Sequence, residues 1–164
     1  MTKVIHSGKS LSLGIGRLMI LLIAIILVLS IVACEDDAVK SKRLEFDYFA
    51  VDVPATWNGE TRKGYDSYVG VIQTSDGQEI TFDFGKYSNP LNVDADAYDI
   101  EYVVIDEKKA KVVRPAGSRK GITGVYFDSL EPNRIYKFTM DGTDLHPHNR
   151  AQFLNVMKSL KFIR

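Results

Sequence analysis

From residue 44 onward the apolar side chains recur at every second position, and near the C-terminus the spacing changes to three and four. A period of two lines one face of a strand, and a period near 3.6 gathers side chains on one stripe of a helix. Such a chain has to build a sheet and lay a helix on it, because neither apolar surface is stable in water by itself. Phe49, Val51 and Val53 alternate with Ala50 and Asp52 until Pro54, which predicts a half-buried strand. Leu44, Phe46 and Tyr48 alternate on the opposite phase, so a bulge or turn is expected near Tyr48-Phe49. Residues 68–72 predict a second strand, and Asp76-Gly77 a tight hairpin turn in which both central residues favour positive φ. Ile80, Phe82 and Phe84 alternate behind it, and residues 100–105, 110–113, 121–127 and 134–140 are β-rich. Pro147 suits a first helical position, and Phe153, Leu154, Met157 and Leu160 then form one apolar stripe. Lys161-Phe162-Ile163 are expected to close as a short strand or a tail. The expected fold class is α+β: a mainly antiparallel sheet of about seven strands with a C-terminal amphipathic helix packed on it. Residues 44–164 form the single globular domain, with Trp57 as a core plug near a strand end.

Residues 1–33 have a different texture. Lys3, Lys9 and Arg17 precede an apolar run over residues 18–33 interrupted by Ser30 alone, and the segment holds no acidic residue. This is the order of a secretory signal peptide. As a helix the run would reach about 24 Å, short of a hydrocarbon core of about 30 Å. Ile31-Val32-Ala33-Cys34 resembles the lipobox of bacterial lipoproteins. That resemblance implies cleavage between Ala33 and Cys34, diacylglycerol on the Cys34 sulfur, and anchoring in a membrane by acyl chains such as palmitate. The alternative is an uncleaved N-terminal signal-anchor helix in the inner membrane, with an incidental cysteine. In both cases the basic flank stays inside and Cys34-Glu35-Asp36-Asp37 goes outside. Glu35-Asp36-Asp37 resembles the acidic surface-export signals of Bacteroidetes-like lipoproteins, or else serves as a solvated linker. Residues 34–43 are read as an acidic tether. The expected location is the bacterial cell envelope, at the outer membrane or its exposed surface.

Removing the three basic residues of the signal leaves 18 basic against 21 acidic residues, a net charge of −3. A mildly acidic domain offers no broad field for a nucleic-acid backbone, so no nucleic-acid partner is expected. Cys34 is the only cysteine. The domain therefore has no disulfide, no thiolate nucleophile and no cysteine-based metal site, and its stability rests on a packed core. A monomer without cofactor is expected, bound to its membrane through the N-terminal lipid.

Gly64-Tyr65-Asp66-Ser67-Tyr68-Val69-Gly70, Phe82-Asp83-Phe84-Gly85-Lys86-Tyr87-Ser88-Asn89-Pro90-Leu91, Lys109-Ala110-Lys111-Val112-Val113 and Lys120-Gly121-Ile122-Thr123-Gly124-Val125-Tyr126 resemble segments of uncharacterised Bacteroidetes-type envelope lipoproteins. The likeness runs through most of residues 49–164 and carries no activity to transfer. Phe49-x-Val51-x-Val53-Pro54-x-x-Trp57 with Phe153-x-x-x-Met157-x-Ser159-Leu160-Lys161-Phe162 more distantly resembles Mog1/PsbP-like α/β/α domains. That likeness implies a sheet with a terminal helix and a binding rather than catalytic role.

No catalytic set stands out by spacing. Asp66-Ser67 lacks the Gly-x-Ser-x-Gly frame, and its only histidine partners past the signal are His146 and His148. The expected role is a non-enzymatic binding or structural module; a small envelope hydrolase or metal-dependent enzyme using Ser67 and Asp66 with His146 or His148 is its rival. An accessory subunit of an envelope complex is a third reading. Asp83-Phe84-Gly85 imitates a kinase triplet without its companion motifs and is read as strand. Asn92-x-Asp94-x-Asp96 has calcium-loop spacing, yet Ala97 stands at the turn glycine and Val103 at the bidentate glutamate, so an acidic loop or an Asx cap is expected. His146-Pro147-His148 has the makings of half a metal site with Asp141 or Asp144, and equally of a helix cap. No metal ligand set and no catalytic residue is assigned. The candidate binding residues are Tyr68, Asp83, Tyr87 and Asn89, where a loop presents side chains that a sheet holds rigid; the alternative is that they only fix the turn, Asn89 bonding local backbone and Pro90 setting φ.

Overall fold

The computed structural model describes residues 40–130 and 136–163. The signal segment, Ala33, Cys34 and Glu35-Asp36-Asp37 lie outside the described residues. Ten strands and one helix follow in order: β1 (Ser41–Glu45), β2 (Phe49–Pro54), β3 (Asn58–Arg62), β4 (Tyr68–Gln73), β5 (Glu79–Gly85), β6 (Tyr98–Ile105), β7 (Lys108–Pro115), β8 (Ile122–Phe127), β9 (Lys137–Thr143), α1 (Pro147–Lys158) and β10 (Lys161–Phe162). All strand pairs are antiparallel. They form a small sheet in the order β1-β2-β10 and a seven-stranded sheet in the order β3-β4-β5-β9-β8-β7-β6. The class is α+β, with one C-terminal helix.

Leu44 and Phe49 sit on opposite phases because a turn separates them: Phe46 N–H donates to the Phe49 carbonyl at 2.9 Å. The tether expected to reach residue 43 ends earlier. Ser41, Lys42 and Arg43 pair with Pro54, Val53 and Asp52, because backbone hydrogen bonds need no apolar periodicity. β2 is buried more fully than an alternating strand should be: of its six residues only Asp52 is exposed. It is the middle strand of its sheet, and α1 packs on it.

Phe49, Val51 and Val53 meet Ile72, Ile80, Phe82, Phe138 and Met140 of the large sheet in one core, to which α1 adds Phe153, Val156 and Met157. Phe49 stands edge-on to Phe82 and Phe138 at 5.0 and 4.8 Å between centroids, a favourable quadrupole geometry. Trp57 is fully buried in this core. Pro147 opens α1 as expected. The apolar stripe differs from expectation at its ends: Val156 and Asn149 are buried too, Leu154 is only partly covered, and Leu160 is buried beyond the helix terminus.

The turns are distributed differently from the expectation. At the β4–β5 hairpin only Gly77 has positive φ, +82°. Thr74 to Gly77 form a turn closed by Gly77 N–H to the Thr74 carbonyl at 3.1 Å, and Thr74 N–H then reaches the Gln78 carbonyl at 2.9 Å. The two-residue turn with both φ positive joins β6 to β7 instead, at Asp106 and Glu107 (φ 48° and 62°). A tertiary contact holds it: the Asp106 carboxylate accepts Phe162 N–H at 2.9 Å and the Lys161 ammonium at 3.1 Å. Those bonds pull the Asp106 carboxyl below its usual range, the backbone N–H of Phe162 being the largest cause. β3 carries no apolar side chain, so no alternation announced it.

Between β5 and β6 the chain must pass three intervening strands. Leu91 and Val93 of this crossing pack with Tyr98, Val113, Ile122 and Tyr126 into a second, smaller core on the outward face of β7 and β8. Leu91 approaches so closely that a Cβ on Gly124 would lie 2.9 Å from its Cδ1. On the outward face of β4, β5 and β9, next to this crossing, Val71 and Thr139 are buried.

Candidate functional site

The alternation of β5 and β9 sets the chemistry of that face. Phe82 and Met140 pair and point into the core, so Thr81 and Asp83 of β5 and Thr139 and Asp141 of β9 point outward. In register, Asp83 is opposite Thr139 and Thr81 is opposite Asp141. The two carboxylates are therefore diagonal neighbours, with a usual Cα separation of about 7–8 Å. They line a cleft of about 340 Å³ with Arg62, Val69, Thr81, Asn89 and Thr139.

Each wall group has a defined partner except one. Thr139 Oγ1 donates to the Asn89 carbonyl at 2.6 Å, and Thr81 Oγ1 to the Asp141 carbonyl at 3.3 Å. Arg62 spans the outer side of β4 and grips both oxygens of Glu79 at 2.6 and 3.3 Å, which holds the Glu79 carboxyl below its ordinary range. Asp141 is in the opposite situation. Burial pushes its carboxyl up, with the Thr81 hydroxyl acting against that shift. Asp83 Oδ1 is shielded from solvent and has no hydrogen-bond donor among the described residues.

Of the four residues singled out in the sequence, two share this cleft: Asp83 and Asn89. Tyr68 is excluded by the pleat. It pairs with Phe84 one position away from Asp83, so it faces the core side, stacked edge-on against Tyr48 at 5.1 Å with its hydroxyl accepting Asp47 N–H at 3.2 Å. Tyr87 points away on the turn, 71% exposed, with the Lys86 ammonium 5.5 Å from its ring. Asn89 also shapes the turn, its side-chain oxygen accepting Leu91 N–H at 3.0 Å. Ser88 is buried, and its oxygen accepts Gly85 N–H at 3.1 Å. Thr81, Thr139 and Arg62 are not singled out by the sequence, and Asp141 is singled out there only as a candidate metal partner of His146 and His148. The alternation of Thr81 with Asp83, and of Thr139 with Asp141, was visible, but the pairing of two strands nearly 60 residues apart was not.

The hydrolase set is not assembled. Ser67 lies against the far end of β5, where a Cβ on Gly85 would fall 2.5 Å from its Oγ. Its hydroxyl contacts Asp66 at 3.3 Å. His146 Nδ1 is 2.8 Å from Asp76 Oδ2, in the turn that precedes β5. The length of β5 separates them, about 20 Å at 3.3 Å per residue. His148 sits in the first turn of α1, beside His146 rather than Ser67. His146 is the N-cap residue yet makes no side-chain cap bond, so imidazole capping is corrected: its ring serves Asp76 instead. Asp94 accepts Asp96 N–H at 3.0 Å, an Asx turn as expected. Among the described residues no group of three or more His, Cys, Asp or Glu is placed to hold a metal ion. Among them, too, no helix is long and apolar enough to cross a membrane.

No protein-family model, no curated protein and no solved structure matches the chain.

Proposed function

We propose that this chain is a lipid-anchored protein of a bacterial cell envelope whose domain binds a ligand in the cleft of Asp83 and Asp141 without turning it over. The anchor rests on Ile31-Val32-Ala33-Cys34 at the end of the apolar run, and on the likeness to Bacteroidetes-type envelope lipoproteins. The binding role rests on one observation: a desolvated Asp83 oxygen that lacks a donor, in a cleft with a second carboxylate nearby. A buried acceptor left unpaired is costly, and a ligand N–H is what completes it. Two carboxylates on one wall favour an ammonium-bearing ligand, such as a polyamine, an amino sugar or a lysine side chain.

Turnover is disfavoured by the buried hydroxyl of the wall: Thr139 donates to a backbone carbonyl, whereas a nucleophilic hydroxyl has to donate to a base.

Two measurements test the two halves. Intact mass of membrane-extracted protein, wild type against Cys34→Ser, is expected to show loss of residues 1–33 and added diacylglycerol in the wild type alone. An unmodified cysteine with the signal still attached removes the anchor. Thermal-shift titration with spermidine, glucosamine and a lysine-rich peptide is expected to stabilise wild type and not Asp83→Asn. No shift with any of them, or an equal shift in the variant, removes the cleft as a binding site.

A further inference from the structure

The edges of the two sheets are not built alike. β3 ends one side of the large sheet with Asn58-Gly59-Glu60-Thr61-Arg62, five exposed residues without an apolar side chain. In the small sheet, β1 is Ser41-Lys42-Arg43-Leu44-Glu45 and β10 has two residues. Short, charged edges of this kind resist pairing with another chain. β6, the other edge of the large sheet, is eight residues long and pairs with β7 alone among the described strands. Its Ile100, Tyr102 and Val104 are 37%, 79% and 69% exposed.

The β6–β7 hairpin also settles which backbone groups of β6 are free. It closes on two residues, Asp106 and Glu107, with Ile105 opposite Lys108. The pair that closes a two-residue hairpin exchanges its hydrogen bonds, so Asp99, Glu101, Val103 and Ile105 direct their N–H and C=O groups to β7. Ile100, Tyr102 and Val104 direct theirs outward from the edge. Free backbone groups and exposed apolar side chains thus fall on the same three residues.

We propose that two copies of this chain join through β6, antiparallel, with Tyr102 opposite Tyr102 on the two-fold axis. This replaces the monomer expected from sequence. In that register Ile100 opposes Val104 of the second copy on the outward face, and Glu101 opposes Val103 on the inner face. Three hydrogen-bonded residue pairs form, on the order of six backbone bonds. Sliding by one pair one way places Glu101 against Glu101, and like charges directly opposite are destabilising; sliding the other way places Val103 against Val103 and leaves two hydrogen-bonded pairs instead of three. The outward face of the hairpin carries Lys109 and Lys111 opposite Val104 and Tyr102 and no carboxylate. The Lys111 residues of the two copies would stand three strand spacings apart, about 14 Å, beyond the screening length in physiological salt. The strand is therefore self-complementary in size and tolerant in charge, which favours a second copy over an unrelated extended segment.

The full-length chain in detergent tests this. Light scattering on the eluting protein is expected to give twice the chain mass for wild type and the single-chain mass for Tyr102→Pro. That proline removes an N–H the domain does not use. If it fails to fold, Tyr102→Lys serves, since a lysine at the edge also blocks pairing. Cysteine scanning on a Cys34→Ser background reads the register. Opposed residues of a hydrogen-bonded pair have Cα atoms about 5.5 Å apart, within disulfide reach. Tyr102→Cys alone, and Ile100→Cys mixed with Val104→Cys, are expected to yield covalent dimers on oxidation. Ile100→Cys alone is expected to yield none. A single-chain mass for wild type with no disulfide from Tyr102→Cys overturns the proposal and leaves the edge to another chain. A dimer from Ile100→Cys alone overturns the register.

Discussion

The Asn149 amide donates to Asp76 Oδ1 at 2.7 Å across 73 residues of sequence, and to Gln78 Oε1 at 2.9 Å. Asn149 is buried in the first turns of α1, and the two acceptors belong to the β4–β5 hairpin. The helix start is thereby docked on a turn by side-chain hydrogen bonds. His146 N–H adds a third link to Gln78 Oε1 at 2.7 Å. Replacing Asn149 by leucine removes the donor from both acceptors. A loss of stability is expected, although Asp76 keeps Thr74 and His146, and Gln78 keeps His146 N–H. Urea unfolding followed by circular dichroism measures it, and an unchanged midpoint would show that the dock is incidental.

The same contacts make the dock acid-sensitive. The Thr74 hydroxyl, then His146 and Asn149, hold the Asp76 carboxyl far below its ordinary range. A depressed folded value means the charged form is favoured by folding. The stability it adds is present above the unfolded value, about 3.9, and is lost as pH falls through the folded value. Wild type is expected to lose stability more steeply than Asp76→Asn once the pH falls below about 4. Parallel acid titrations of the melting temperature check this.

Asp141 has the opposite sign. Burial raises its carboxyl, so the fold favours the protonated form and is penalised once the pH exceeds the unfolded value. Asp141→Asn is expected to match or exceed wild-type melting temperature at pH 7, with the difference vanishing in acid. A marked loss at pH 7 would mean that hydrogen bonding to the carboxylate outweighs its burial in the folded protein.

Met157 is 1% exposed in the main core. Met157→Asp is expected to abolish cooperative unfolding, because an ionised carboxylate there has no partner. A sigmoidal wild-type-like melt would place that side chain in water.

Trp57 is the single tryptophan and is fully buried. Its fluorescence is expected to be blue-shifted and poorly quenched by iodide until the domain unfolds. Trp57→Ala should cost about 3–5 kcal/mol, the range for removing a large core aromatic.

What could be read from residues alone was whatever depends on neighbours in sequence. Alternation at Phe49-Val51-Val53 and Ile80-Phe82-Phe84 announced strands, Pro147 announced the helix start, and Phe153 with Met157 its buried stripe. β3 stayed hidden because Asn58-Gly59-Glu60-Thr61-Arg62 has no apolar phase and is a strand only because β4 pairs with it. The tight turn was expected at Asp76-Gly77 from residue preference, yet Asp106 and Glu107 adopt it, held by the distant Phe162 N–H. The candidate site divides in the same way. Asp83 and Asn89 were legible as polar residues at a strand end, but Tyr68 was lost to the other face by the two-residue pleat. Asp141 entered only when β5 took β9 as its partner. Local spacing decides which face a side chain takes within its own strand; which strands lie side by side is decided by burying the whole core, and that is a property of the tertiary structure.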